Sequence, residues 1–228
     1  MIVQMVNAEN ADRDLIKRMY EGFDQAIGIE SDKDTYEEFL EILSAADDQA
    51  KFYFTWIQEG DQVACGTVSV RLWVKETWYH AIVYAFTDPA FRKRGYARKV
   101  VGHLADAFDD TFLFCEVLDQ SELSQSECEA EEKFSGVTCG QRERFWRLQG
   151  FRKAEFNYLN PGAGEENGSR NVISYNNLWI KSENNAIGSD QILQALQAYF
   201  FYEYGEREET QALAMIEKEI AGTEVKLL

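Results

Sequence analysis

A chain of 228 residues is long for one domain and short for two, so one domain with an appendage is the first expectation. Its 45% hydrophobic and 14% aromatic residues supply a sizeable core and argue against disorder. A formal net charge of −17 argues against a nucleic-acid or anionic-membrane binder, because phosphate contacts need a broad basic face; it suits a cationic or amine-bearing partner, and solubility alone explains it equally well.

In chain order, "MIVQMV" reads as a short strand, without the basic start and apolar run of a signal peptide. Leu15, Ile16, Met19, Tyr20, Phe23 and Ile27 recur at helical spacing, and "GIESDKD" ends that helix. Thr35 followed by Glu38 forms a capping box ahead of a Tyr36, Phe39, Leu40, Leu43 stripe. "KFYFTWIQ", "QVACGTVSVRLWV" and "TWYHAIVYAFT" then read as three strands of an antiparallel meander. After Gly95, the residues Tyr96, Val100, Val101, Leu104 and Phe108 predict a helix ending near "DD".

"TFLFCEVL" is a buried strand, "DQSELSQSECEAEEKFSG" a long acidic excursion, and "QRERFWRLQG" a short helix closed at Gly150. "FRKAEFNYL" and "VISYNNLWIK" predict two strands joined by the glycine-rich stretch "NPGAGEENGSR", where the Asn167 sequon reads as a turn. The remainder is helical, with stripes Ile192, Leu193, Leu196, Tyr199, Phe200 and Leu213, Ile216, Ile220, suited to packing on the body or on a second copy in a homodimer. Residues 1–182 and 183–228 are thus expected to form a main domain and a helical extension. No apolar run approaches the ~18–20 residues of a membrane span. Cys65, Cys115, Cys128 and Cys139 form no CxxC pair and have no nearby histidine, so no metal site is expected and a reducing, cytoplasmic setting is the reading.

Against the acidic background, Arg92, Lys93, Arg94, Arg98 and Lys99 crowd around Gly95 between a strand and a helix. A helix N-terminus offers unpaired N–H groups and a positive dipole end; glycine permits close approach of an anion. The spacing matches neither the dinucleotide GxGxxG nor the P-loop. Arg92-Lys93-Arg94-Gly95-Tyr96-Ala97 does match the [RQ]xxGx[GA] signature of the Gcn5-related N-acetyltransferase (GNAT) superfamily. Thr87-Asp88-Pro89 looks like the V-x-P before it, and Phe145 to Phe151 resembles the family's FYxxxGF element.

The resemblance, running from Met1 to about Lys181, implies an α+β fold of the α/β class. It implies a mixed, mostly antiparallel sheet flanked by helices and splayed at an acyl-CoA cleft. Acetyl-CoA would lie along Ala85, Phe86 and Thr87, its phosphates on the backbone from Arg92 to Ala97 and on the side chains of Arg92, Lys93 and Arg98, with Arg94 also in the signature. The implied activity is transfer of an acetyl group to a primary amine of a small molecule or peptide, with a non-catalytic CoA-binding sensor as the alternative. Trp146 stands where many members carry a tyrosine acid, and Cys139 where an asparagine is common.

For the base, Glu116 shares a strand face with Phe112, Phe114 and Leu118, and the alternative for it is a plain ion pair. His80 is read on a face with Trp78, Ile82, Tyr84 and Phe86; base work and core packing are both open to it. Tyr84 is a candidate acting through water, and Tyr158 a wall of the substrate pocket. The acceptor is expected between the first two helices and Asn160–Asn171, where Glu165 and Glu166 would favour a cationic amine, the alternative for them being ordinary solvated loop residues.

Overall fold

The computed structural model describes residues 2–26, 34–109, 111–119, 121–166, 169–173, 176–204 and 211–228. Its centre is a seven-stranded sheet in the order β1-β2-β3-β4-β5-β9-β6. The strands are β1 (Val3–Asn7), β2 (Ala50–Glu59), β3 (Gln62–Val74), β4 (Thr77–Thr87), β5 (Phe112–Leu118), β6 (Phe151–Lys153) and β9 (Asn176–Lys181). Short turns make β2, β3 and β4 antiparallel, and β1 pairs antiparallel with β2 after a long helical connection, whereas β4 and β5 run parallel because α3 (Tyr96–Ala107) crosses between them. The mixed, mostly antiparallel sheet has the fold class the sequence implied.

Alternation along the strands divides the core in two. Phe52, Phe54, Val70, Leu72, Tyr79, Phe114 and Ile180 turn to one face. That face is covered by α1 (Arg13–Asp24), α2 (Tyr36–Ser44), α6 (Ser189–Tyr204) and α7 (Gln211–Ile220). On the opposite face Leu113, Cys115, Val117 and Trp179 meet Leu104 of α3 and Trp146 of α5 (Cys139–Leu148). The helix starts are chemically fixed. Asp12 accepts the Leu15 N–H at 2.7 Å, and Thr35 and Glu38 close the expected capping box of α2.

Four expectations are corrected. The acidic excursion contains a helix, α4 (Gln125–Ser135), started by a Ser124–Glu127 capping box. The strand expected over 151–159 stops at Lys153. The stretch taken as a loop instead forms an antiparallel hairpin of β7 (Asn160–Glu166) and β8 (Ser169–Ile173). The C-terminal region is also not purely helical, since β10 (Ala186–Gly188) pairs with β11 (Glu224–Lys226). Leu228 and Lys153 exchange backbone hydrogen bonds at 2.8 and 3.2 Å, so this segment borders the β6 edge of the main sheet. Ile192, Leu196, Tyr199 and Phe200 share one core with Phe114 and Leu178, so the residues after 182 pack as part of the same body.

The α1–β4 contact is close. Phe86 of β4 is 4% exposed, and a Cβ at Gly22 of α1 would stand 2.2 Å from its ring, one at Gly66 of β3 2.9 Å. Alanine is favoured over glycine inside a helix by about 1 kcal/mol. Overpacking a buried ring costs about 1–3 kcal/mol, and with Gly66 behind it Phe86 has nowhere to retreat. Gly22→Ala is therefore expected to lower the urea midpoint at unchanged m; a raised midpoint would show that the ring yields.

Candidate active site

The parallel β4–β5 ladder pairs Tyr79–Ile82 with Phe112–Cys115 and ends there. The next β4 residue, Val83, is a bulge: Tyr84 lies opposite Val68 and Ile82 opposite Ser69, leaving Val83 without a partner on β3. A bulge bends and twists its strand, and here β4 parts from β5 into a cleft of about 610 Å³. Asp88 N–H donates to the Ala64 carbonyl at 3.1 Å, so by alternation Ala85 and Thr87 turn their N–H and C=O groups to the open side.

The bulge also changes which side chains share a face. Sequence alternation grouped His80 with Tyr84 and Phe86. The extra residue shifts the parity, placing Tyr84 and Phe86 on the α1 side while Ile82 faces α3. His80 is fully buried against Phe108 (4.6 Å) and Tyr53 (6.2 Å), and it does not line the cleft. Burial first, and the Arg71 charge second, hold its pKa down to about 3. It is placed as a neutral core residue.

At one end of the cleft stands the glycine turn. Gly95, the N-cap of α3, has φ 73, and no atom lies within 4 Å of where its Cβ would be; backbone conformation and open space toward the cleft fit glycine there. The helix ladder begins with Lys99 N–H on the Gly95 carbonyl, and the first-turn amides have no partner within the helix. Arg92, Lys93 and Arg98 line the cleft, as do Gly95, Tyr96 and Ala97. Arg94 instead folds back over Phe91, 5.1 Å from its ring, and donates to the Ala90 carbonyl. The Tyr96 hydroxyl donates to Glu59 at 2.6 Å, so its ring belongs to the core and only its backbone faces the turn.

The other end carries carboxylates held by phenols. Glu116 of β5 accepts hydrogen bonds from Tyr158 and, at 3.5 Å, from Tyr199 of α6. Tyr84 stacks on Phe23 at 4.3 Å and donates to Asp34. Glu116, Tyr84, Asp34 and Tyr199 line the cleft; Tyr158, only 2% exposed, sits behind Glu116. Glu165 and Glu166 lie on the β7–β8 hairpin, and their side chains, with the Cys139 side chain, Asn167 and most of "GIESDKD", lie outside the described residues.

A third wall was not read from the sequence. Glu131, Ser135, Gly136 and Val137 at the end of α4 line the cleft with Arg142, Phe145 and Trp146 of α5. Glu131, 4% exposed, pairs with Arg142 at 2.5 Å. Tyr199 was equally hidden, inside a stripe that reads as core. Among the described residues no group of His, Cys, Asp and Glu could hold a metal ion, and no helix is long and apolar enough to cross a membrane.

A mixed sheet opened between parallel neighbours, with a helix N-terminus at the mouth, is the fold of the GNAT acetyltransferases. Residues 15–125 match the model of the acetyltransferase (GNAT) family. The fold is similar to a tandem GNAT protein from the clavulanic acid biosynthesis pathway (TM-score 0.53, 13% identity), over 70% of this chain and 46% of that one. A second likeness is to the GCN5-related glucosamine N-acetyltransferase region of a fungal multi-domain β-N-acetylglucosaminidase (TM-score 0.50, 10% identity), over 70% and 18%. An acetyltransferase from Thermus thermophilus aligns over 79% and 96% at 12% identity, with a TM-score of 0.48. No curated protein matches the chain at a significant level of sequence similarity.

Asp119, where β5 leads toward α4, anchors this wall. It accepts from Ser121 N–H (2.9 Å), Asn177 (2.7 Å) and Lys153 (3.0 Å). Burial works to raise its pKa, but the bonds from Ser121, Asn177 and Lys153 prevail and hold the carboxyl well below the usual carboxylate range. With the folded pKa depressed, this stabilisation is present above the unfolded pKa near ~3.9 and is lost as pH falls through and below it. Asp119→Asn is expected to cost about 1–3 kcal/mol at neutral pH and to flatten the acid decline in stability, checked by urea unfolding at pH 7 and pH 3.

Proposed function

We propose that the chain is an acetyl-CoA-dependent N-acetyltransferase acting by direct transfer on a primary amine of a small molecule or peptide. The observation that carries this reading is the single cleft running from the α3 N-terminus, along the edge of β4 that β5 leaves uncovered, to Glu116 and Tyr84. Its volume of about 610 Å³ falls within the range of cofactor and small-molecule sites.

The residues fit the cofactor. The open Gly95 turn, the first-turn amides and Arg92, Lys93 and Arg98 suit the phosphates, and the Ala85 and Thr87 peptide groups suit the pantetheine arm as an added strand. When bound, acetyl-CoA supplies an activated thioester carbonyl. Glu116 accepts the proton of the attacking amine, held in place by Tyr158 and Tyr199. Tyr84 and Phe23 form the aromatic side of the acceptor pocket, and Asp34 with Glu116 makes that end attractive to a cation. Trp146 has no acidic proton to give, so the proton for the departing sulfur comes from water. The free cysteines Cys65, Cys115 and Cys128 accord with a cytoplasmic setting.

A second reading, a GNAT-fold module that binds CoA without turnover, is favoured by Trp146 and Cys139 standing where the family commonly carries a tyrosine and an asparagine. Thiol release from acetyl-CoA, screened over polyamines, amino acids and peptides, separates the two: amine-dependent release supports the enzyme, background release with CoA binding supports the sensor. Glu116→Gln is expected to cut turnover while CoA affinity is unchanged, and an unaffected rate would remove Glu116 as the base. Gly95→Glu is expected to weaken CoA binding more than tenfold, about 1.4 kcal/mol, by setting charge and bulk at the phosphates; calorimetric titration with unchanged affinity would refute the cradle.

A further inference from the structure

We propose that α4, the helix of the acidic excursion, is a positioning element for Arg92, acting through the turn at Gly136; this rests on the acetyl-CoA reading of the cleft. Gly136 closes α4 in the left-handed conformation, φ 67, with its N–H donating to the Glu132 carbonyl at 2.8 Å. A Cβ on Gly136 would stand 2.1 Å from Arg92 Nη1, 3.0 Å from Cζ and 3.4 Å from Cδ. The guanidinium therefore lies directly against the glycine, in space that any other residue would fill. From the other side, Arg92 Nε donates to the Thr87 carbonyl at 3.4 Å. The arginine is seated between the end of β4 and the end of α4.

The seat is itself braced. Ser135 Oγ donates to the Glu131 carbonyl at 2.6 Å and lies 3.0 Å from the Val137 carbonyl, tightening the turn. Glu131, one turn earlier, is tied to Arg142 of α5, so α4 cannot slide without breaking a buried ion pair. An arginine free to rotate loses side-chain entropy when it grips an anion; one already seated loses less. Gly136 is thus demanded by conformation and by contact. Asparagine separates the two demands, because it tolerates the left-handed region yet brings a Cβ.

Calorimetric titration of the full chain with CoA tests the proposal. Gly136→Asn is expected to weaken binding about three- to tenfold, and Arg92→Ala at least as much. The double variant should bind no more weakly than Arg92→Ala alone, since both changes act on one side chain. Ser135→Ala, which loosens the turn without adding an atom, should weaken binding about twofold and keeps the test open if the asparagine variant folds poorly. Wild-type affinity in Gly136→Asn, or in Ser135→Ala where the asparagine variant does not fold, would overturn the role of α4, as would losses that multiply in the double variant. Failure of the unmodified chain to bind CoA would instead overturn the acetyl-CoA reading, and this inference with it.

Discussion

One unpaired residue in β4 governs the site. Had Val83 a partner on β3, β4 would continue straight, and its ladder with β5 could run on past Cys115. The bulge ends that ladder, opens the edge carrying Ala85 and Thr87, and rotates Tyr84 onto the face where Glu116 stands. The cleft, the open backbone edge and the face shared by Tyr84 and Glu116 thus have one cause. A bulge interrupts the ladder locally, and the sheet tolerates it because Phe86 immediately beyond is clamped between Gly22 and Gly66.

Much of this was legible in the sequence because it is written in local chemistry. Strands β3 and β4 begin and end where their alternation and turn residues place them. The Thr35–Glu38 box starts α2, and Gly150 follows α5 with φ 85. Three of the five clustered cations line the cleft, as a glycine turn opening a helix suggests. The failures have equally definite causes. His80 was grouped with Tyr84 because strict alternation was extended across a residue that breaks it, and a bulge of an ordinary valine carries no compositional mark. Tyr199 was hidden because a tyrosine on an apolar stripe looks the same whether its hydroxyl meets water or a carboxylate 83 residues away.

The charge distribution resolves into a division of labour. A chain of net charge −17 keeps Arg92, Lys93 and Arg98 at one end of its cleft and Asp34 and Glu116 at the other. Arg94 is withdrawn onto Phe91, and Arg142 is matched by Glu131, so the basic field is confined to the α3 turn. In a low-dielectric groove such separation orients a ligand with an anionic tail, tail toward α3, before close contact is made.

The phenols around Glu116 set an order of assembly. Its partners lie 42 and 83 residues downstream, and Tyr199 arrives only with α6, which also covers Phe114 and Leu178. During synthesis the glycine turn and β5 emerge well before these groups, leaving the carboxylate and its apolar strand face uncovered until the last third of the chain docks. The span 15–125 that matches the family model thus holds Glu116, while the side chains that seat it come from beyond that span. Completion of the Glu116 site is therefore a late event in folding, gained as the core closes.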